Sequence, residues 1–273
     1  MNNILNRLYF SALCSMLLFN VTARDTDSLI FQSQSVRSVG MGFPALNYDL
    51  LSQLNHTGYS ICFASTRFRD KPAHLTLIDT HFRLGILYNA ANDSYITMLG
   101  FSASLTRYLY STDASRSLRI MLGAVAQTGI DVFMKDENIN NPVAYFFNIS
   151  LNPSLLTTYR FNIRGSKFEI GQQFYVPLLS IVSTSDYSSS LPYGFIENDA
   201  NFFDAMRFAS FGSLVKFTTA TIFDVNTSFQ QREKLPVLRI TYQFAGLNYN
   251  YNDISVKSAE HSLVFGAIFY LFK

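Results

Sequence analysis

Period-two alternation over more than twenty consecutive residues restricts this chain more than any other feature. From Val143 to Ile163 the odd positions read Val143, Tyr145, Phe147, Ile149, Leu151, Leu155, Thr157, Tyr159, Phe161 and Ile163, while the even ones include Asn148, Ser150, Asn152, Thr158, Arg160 and Asn162. Successive side chains of a strand point to opposite faces, so this is a long strand with one apolar and one polar face. Gly165-Ser166 follows, then Lys167 to Val176 with Phe168, Ile170, Phe174 and Val176 on one side. A two-residue Gly-Ser turn is expected to join them as a hairpin that pairs Arg164 with Lys167, Ile163 with Phe168, Asn162 with Glu169 and Phe161 with Ile170, like character with like.

The pattern recurs, and predicts strands at 31–42, 57–68, 75–88, 95–110, 116–130, 142–164, 167–179, 206–225, 235–249 and 261–272. That makes ten. A turn at Asn152-Pro153-Ser154 would split the sixth, and twelve is the alternative count.

No stretch beyond the first residues reaches the length of an apolar membrane helix. Charged residues are only 15% and aromatics 15%, with Phe 26, Tyr 16 and Trp 0, a balance that leans towards a membrane. Both are met by an all-β, antiparallel, up-and-down transmembrane β-barrel, whose outside is apolar and whose inside is polar. Connections at 69–74, 111–115, 165–166 and 226–234 are expected to be short turns, and those at 43–56, 131–141, 180–205 and 250–260 longer loops. A secreted soluble β-sandwich is the alternative that alternation alone leaves open.

Residues 1–23 read as a secretory signal peptide, with Arg7, an apolar stretch from Leu8 to Val21, and Val21-Thr22-Ala23 before the cut. The barrel domain is then 24–273, exported to the outer membrane of a Gram-negative bacterium. With 21 Lys+Arg against 19 Asp+Glu, nothing points to nucleic acid. Cys62 is the one cysteine outside the leader, so no internal disulfide is expected.

Basic residues on the apolar faces, Arg37, Arg67, Arg107 and Arg116, fall near strand ends and are expected at the periplasmic rim, where they reach lipid phosphates. The polar faces carry a lumen charge cluster of Arg83, Arg119, Arg160, Arg164, Glu169, Lys216 and Arg239, together with Asp79, His81, Lys167 and Asp224. Basic groups dominate that count. An open lumen would therefore favour small anions, while a filled one would pair the charges internally.

Hydrolysis would need a nucleophile held against a base, and none of His56, His74, His81 and His261 has a serine two residues away on its strand. No metal-ligand spacing is present, and no cofactor is expected. The 183–205 loop, with Tyr187, Tyr193, Phe195, Glu197 and Asp199, is a candidate outer binding surface for a glycan or peptide. The last strand alternates Val264, Gly266, Ile268, Tyr270 and Phe272 with Leu263, Phe265, Ala267, Phe269 and Leu271. It is apolar on both faces, so part of the interior beside it is expected to be dry, covered by the chain itself or by an apolar ligand.

The segments NYDLLSQLNHTGYSI, FYVPLLS, SLVKFTTATIFDV, VLRITYQF and HSLVFGAIFYLFK, in that order, resemble an uncharacterised family of predicted outer-membrane β-barrel proteins of Bacteroidota. The resemblance implies the fold and location above, and no activity or site residue. The aromatic ending also looks like the signal that such barrels present to their assembly machinery. The expectation is an outer-membrane barrel without enzymatic activity, a small pore or a surface-binding or structural protein. A lipid-modifying hydrolase is the enzymatic alternative.

Overall fold

The computed structural model describes residues 33–70, 74–91, 93–110, 117–135, 143–163, 166–185, 206–210, 214–226, 237–251 and 254–270. They form β1 (Ser33–Tyr48), β2 (Ser52–Asp70), β3 (His74–Asn89), β4 (Ser94–Tyr110), β5 (Leu118–Met134), β6 (Val143–Ile163), β7 (Ser166–Tyr175), β8 (Leu179–Thr184), β9 (Arg207–Ala209), β10 (Leu214–Asn226), β11 (Val237–Tyr251) and β12 (Ile254–Tyr270). Each pairs antiparallel with its neighbour, β12 pairs with β1, and β5 pairs with β6, so the ring closes. The fold is an all-β antiparallel closed barrel, which excludes the sandwich.

The ring has ten strand positions, as the alternation predicts. β8 continues β7 along β6, and β9 precedes β10 in the next position. β6 is not split at Pro153, which pairs with Ala124. The Val176 N–H donates to the Pro153 carbonyl, so the missing proline N–H faces the irregularity between β7 and β8, where no ladder bond is lost.

Two connections expected as long loops are short. β1 runs on to Tyr48 and β2 begins at Ser52, while β11 runs to Tyr251 and β12 begins at Ile254. The reason is a change of phase. In the middle of β1, Met41 and Phe43 face out and Gly42 faces in; further on, Asn47 faces out and Leu46 and Tyr48 are buried inside. The same inversion occurs on β11, with Tyr249 inside, and on β12, with Val256 inside and Lys257 outside. Beyond the apolar belt the outer face becomes polar, and the apolar-out alternation ends there although the strands continue.

The outward belt includes Val39, Met41, Phe43, Ile61, Phe63, Leu84, Leu99, Phe101, Ile149, Leu151, Leu263 and Phe265, all exposed. So large an apolar surface suits lipid and not water. Below, the end where β1 begins and β12 finishes is called the near end, and the opposite one the far end.

Candidate functional site: the layered lumen

Two apolar layers cross the barrel interior. The far layer draws on nearly every strand position, with Leu46, Tyr48, Leu87, Ile96, Met98, Phe133, Phe146, Val182, Leu214, Tyr249 and Val256 in one buried cluster, joined by Leu50 and Leu51 from the β1–β2 turn. Tyr48 is 1% exposed. Its ring meets Phe133 edge-on at 5.9 Å, and its hydroxyl donates to the Tyr145 carbonyl at 3.1 Å, with that of Ser185 at 3.4 Å. β1 and β6 stand opposite each other in the ring, so this side chain bridges the lumen.

The near layer comprises Val36, Phe68, Leu77, Tyr108, Met121, Leu156 and Ile268. A relay locks it: Gln173 Nε2 donates to Tyr108 Oη at 2.9 Å, Tyr108 Oη donates to Ser154 Oγ at 2.7 Å, and Ser154 Oγ donates to the Phe174 carbonyl at 3.1 Å. Ile268, one of the inward apolar residues of the last strand, is covered here by the chain itself. The side chain of Tyr270 and residue Phe272 lie outside the described residues.

Between the layers is a cavity of about 280 Å³. Its charged lining includes Asp79, His81, Arg83, Asp131, Lys216 and Glu260, and on the near side Arg119, Glu169, Asp224 and Arg239. Two ion triads hold five of these groups. In the far one, Arg83 lies between Asp131, at 2.6 Å, and Glu260, which also accepts from Ser60 Oγ at 2.9 Å. Glycines make the room: a Cβ on Gly100 would strike Asp131, and one on Gly42 would strike Glu260 and Ser60. Lys216, reaching from β10, donates to Gln127 Oε1 on β5 at 3.3 Å.

The near triad has the opposite sign. Glu169 accepts from Arg160 and from Arg119 Nη2 at 3.3 Å, and Arg119 Nε also donates to Thr158 Oγ1 at 3.2 Å. Beside it Arg239 makes a two-pronged pair with Asp224 at 2.7 and 2.6 Å and lies over the Phe68 ring at 4.7 Å.

Of the sequence-derived lumen cluster, Arg83, Arg119, Arg160, Glu169, Lys216 and Arg239 are inside, as are Asp79 and Asp224; Arg164 lies outside the described residues and Lys167 is exposed at the near end. The basic excess disappears. Asp131 and Glu260 also point inward, and around the cavity Arg83, Arg119, Arg160, Lys216 and Arg239 are matched by Asp79, Asp131, Glu169, Asp224 and Glu260, with Lys135 buried further towards the far end. Both missed carboxylates sit one residue past a strand end drawn too short. Extending the parity of Gln127 and Gly129 by one step, or of Ser262 by one step back, finds them.

Arg37, Arg67 and Arg107 are exposed on the outer wall towards the near end; Arg116 lies outside the described residues, as do Tyr187, Tyr193, Phe195, Glu197 and Asp199 and the leader. A serine–histidine contact that along-strand spacing missed is made across strands. His56 Nε2 is 3.0 Å from Ser94 Oγ and Nδ1 is 3.0 Å from the Leu54 carbonyl. Both side chains are buried, and the orienting group is a backbone carbonyl where a hydrolase would use a carboxylate or amide. His261 instead faces outward and contacts Tyr242 Oη at 2.7 Å.

Among solved structures, the outer membrane protease OmpT from Escherichia coli superimposes with a TM-score of 0.54 at 9% identity, covering 90% of this chain and 100% of that one. The translocator domain of the autotransporter NalP from Neisseria meningitidis gives 0.43 at 7% identity over 99% of this chain and 96% of that one. The transport unit of the autotransporter AIDA-I from Escherichia coli gives 0.41 at 8% identity, covering 94% of each chain. At such identities the likeness to OmpT speaks for fold alone. No curated protein matches in sequence. The model of one family matches residues 9–273, and the chain therefore belongs to the family described as protein of unknown function (DUF3316).

Proposed function

We propose that this protein is an outer-membrane barrel with a closed lumen, serving a structural or surface-binding role without enzymatic activity. The observation that carries the closed reading is the far apolar layer, bridged by Tyr48 from β1 to the opposite wall. A hydrated pore needs a continuous polar path. Here the polar segment is stopped at the far end by that layer, while the near layer, drawn from β12 and β1 to β6, leaves the triad around Glu169 at the near mouth. Nearly balanced charges in the lumen, most of them held in ion triads or pairs, favour a filled interior over an anion channel.

The apolar belt and the resemblance to outer-membrane barrels support the location, with a Bacteroidota cell as the setting that the sequence resemblance implies. In that setting the near end faces the periplasm, and β12 is the segment presented to the assembly machinery. Burial of the His56–Ser94 pair supports the absence of a histidine-based hydrolase.

Retention in the outer-membrane fraction after alkaline washing, with heat-modifiable migration on a gel, tests the location; complete release would sink it. Planar-bilayer recording tests the lumen. Silence is expected, and a steady ion-selective conductance would overturn the closed reading while leaving the barrel intact.

A further inference from the structure

The near end of the outer wall is divided into two unlike halves. On β6, β7 and β10 it is aromatic: Tyr159 stacks on Phe161 at 5.8 Å, Phe161 on Phe168 at 5.4 Å, and Phe168 on Phe223 at 5.9 Å. On β1 to β4 it is cationic. Arg37, Arg67, Arg69 and Arg107 are all exposed there.

The strand registers gather these four. Arg67 is opposite Ser35 and diagonal to Arg37, which is opposite Ser65. Arg69 and Arg107 flank Thr76 in a single cross-strand row, since Thr76 pairs with both. Two strand spacings separate them, about 10 Å, which two arginine side chains can close around one headgroup. Among the described residues none of the four guanidinium groups has an ion pair or side-chain hydrogen bond. Their place at the foot of the apolar belt, below Val39, Phe63, Ile78 and Leu105, sets them at the level of lipid headgroups.

We infer that this face is a binding site for the phosphate headgroup of an anionic membrane phospholipid, with Arg37, Arg67, Arg69 and Arg107 as the phosphate ligands and the Ser35 and Thr76 hydroxyls beside them. Guanidinium forks match phosphate oxygens two at a time, and an unpaired cluster at a membrane edge gains most from an anionic lipid. Among the described residues, the outer wall of the aromatic half offers no such charge at this level. The lipid is therefore held on one side of the barrel and is not distributed as a ring. This inference rests on the membrane reading above, but not on the lumen being closed.

The test uses the full chain folded in detergent with equal phosphatidylglycerol and phosphatidylcholine, followed by native mass spectrometry of retained lipid. Wild-type protein is expected to retain phosphatidylglycerol preferentially. Arg37→Gln, Arg67→Gln and Arg107→Gln together are expected to weaken that retention on the order of a hundredfold. Arg207→Gln, at an exposed arginine outside the cluster, should change nothing.

Heat-modifiable migration reports whether the triple variant has folded. Should it fail to fold, the corresponding triple Arg→Lys variant, which keeps charge but loses the fork, carries the test and should retain an intermediate amount. Equal retention of both lipids by wild type, undiminished phosphatidylglycerol on the folded Gln variant, or wild-type retention by the Lys variant would overturn the inference. Displacement by inorganic phosphate alone, with no selectivity between the lipids, would point to a free anion and also overturn it. A protein that conducts ions yet keeps the lipid preference would sink the closed-lumen reading and not this one.

Discussion

The two ion triads of the lumen are charge inverses of each other. At the far level one arginine serves two carboxylates, Asp131–Arg83–Glu260; at the near level one carboxylate serves two arginines, Arg119–Glu169–Arg160. Their surroundings differ as much as their signs. The far triad lies in a cradle made by Gly42 and Gly100, beneath the far apolar layer, with Lys216 bringing a second cation into the same compartment. The near triad sits towards the open end, where the Arg160 side chain is 39% exposed. Charges enclosed between apolar layers must be neutralised by the protein, whereas those at a mouth can be neutralised by water and salt. The far triad is thus a structural bolt tying β3, β5 and β12, and the near one is graded from a buried arginine, Arg119, to a solvated one.

Removing the shared cation of the far triad is the harshest test. Arg83→Met keeps much of the volume and leaves Asp131 and Glu260 facing each other without their cation. Arg83 and Asp131 are 29% and 25% exposed to the cavity and Glu260 10%, so a loss of about 3 kcal/mol is expected, the lower end of the cost of stripping one partner from a buried pair. Urea titration of the lipid-reconstituted protein, scored by the heat-modifiable fraction, measures it. Adding Asp131→Asn and Glu260→Gln should recover much of the loss, because the three groups act as one unit. If Arg83→Met unfolds at the same urea concentration as wild type, the bolt does not exist.

Removing the shared anion of the near triad should cost less. Glu169→Gln deprives Arg119, 4% exposed, of its carboxylate while leaving the Thr158 bond in place. About 1–3 kcal/mol is expected, the range for a hydrogen bond to a charged group. The order of the two variants matters more than either value: Glu169→Gln as damaging as Arg83→Met would show that depth in the lumen does not set the cost.

How much of this could be read from the sequence depended on the phase of the alternation. Where Met41 and Phe43 face out in the apolar belt and Gly42 faces the lumen, the apolar-out pattern carries strands, faces and the inward position of Arg83, Arg119, Glu169, Lys216 and Arg239. Beyond the belt the wall inverts, with Leu46, Tyr48, Tyr249 and Val256 turned inward, and the same reading saw loops. Two consequences follow from that inversion. Asp131 and Glu260 fall in segments that read as loops, so the polar faces count as basic; and the far apolar layer lies where the apolar-out pattern has ended, so alternation alone does not reveal it. The His56–Ser94 contact was hidden for another reason. It joins β2 to β4 across the intervening β3, and such a pairing depends on register and side-chain reach, which spacing along one strand does not contain.

The mildest change isolates solvent as the variable. Arg160→Gln removes the exposed arm of the near triad, and Glu169 keeps Arg119. Because Arg160 is more than a third exposed, its pair with Glu169 is discounted for screening, and the expected loss is below about 0.5 kcal/mol. Ionic strength separates this case from the far triad. At roughly 1 M salt the screening length falls to about 3 Å, so the difference between Arg160→Gln and wild type should vanish. Most of the loss in Arg83→Met should persist, since the far triad lies beneath the far apolar layer, deeper from bulk salt than the near mouth. Urea midpoints for both variants at low and high salt measure the contrast. A salt-sensitive Arg83→Met would mean that the far triad is open to bulk solvent, and with it the lumen that the far layer is held to close.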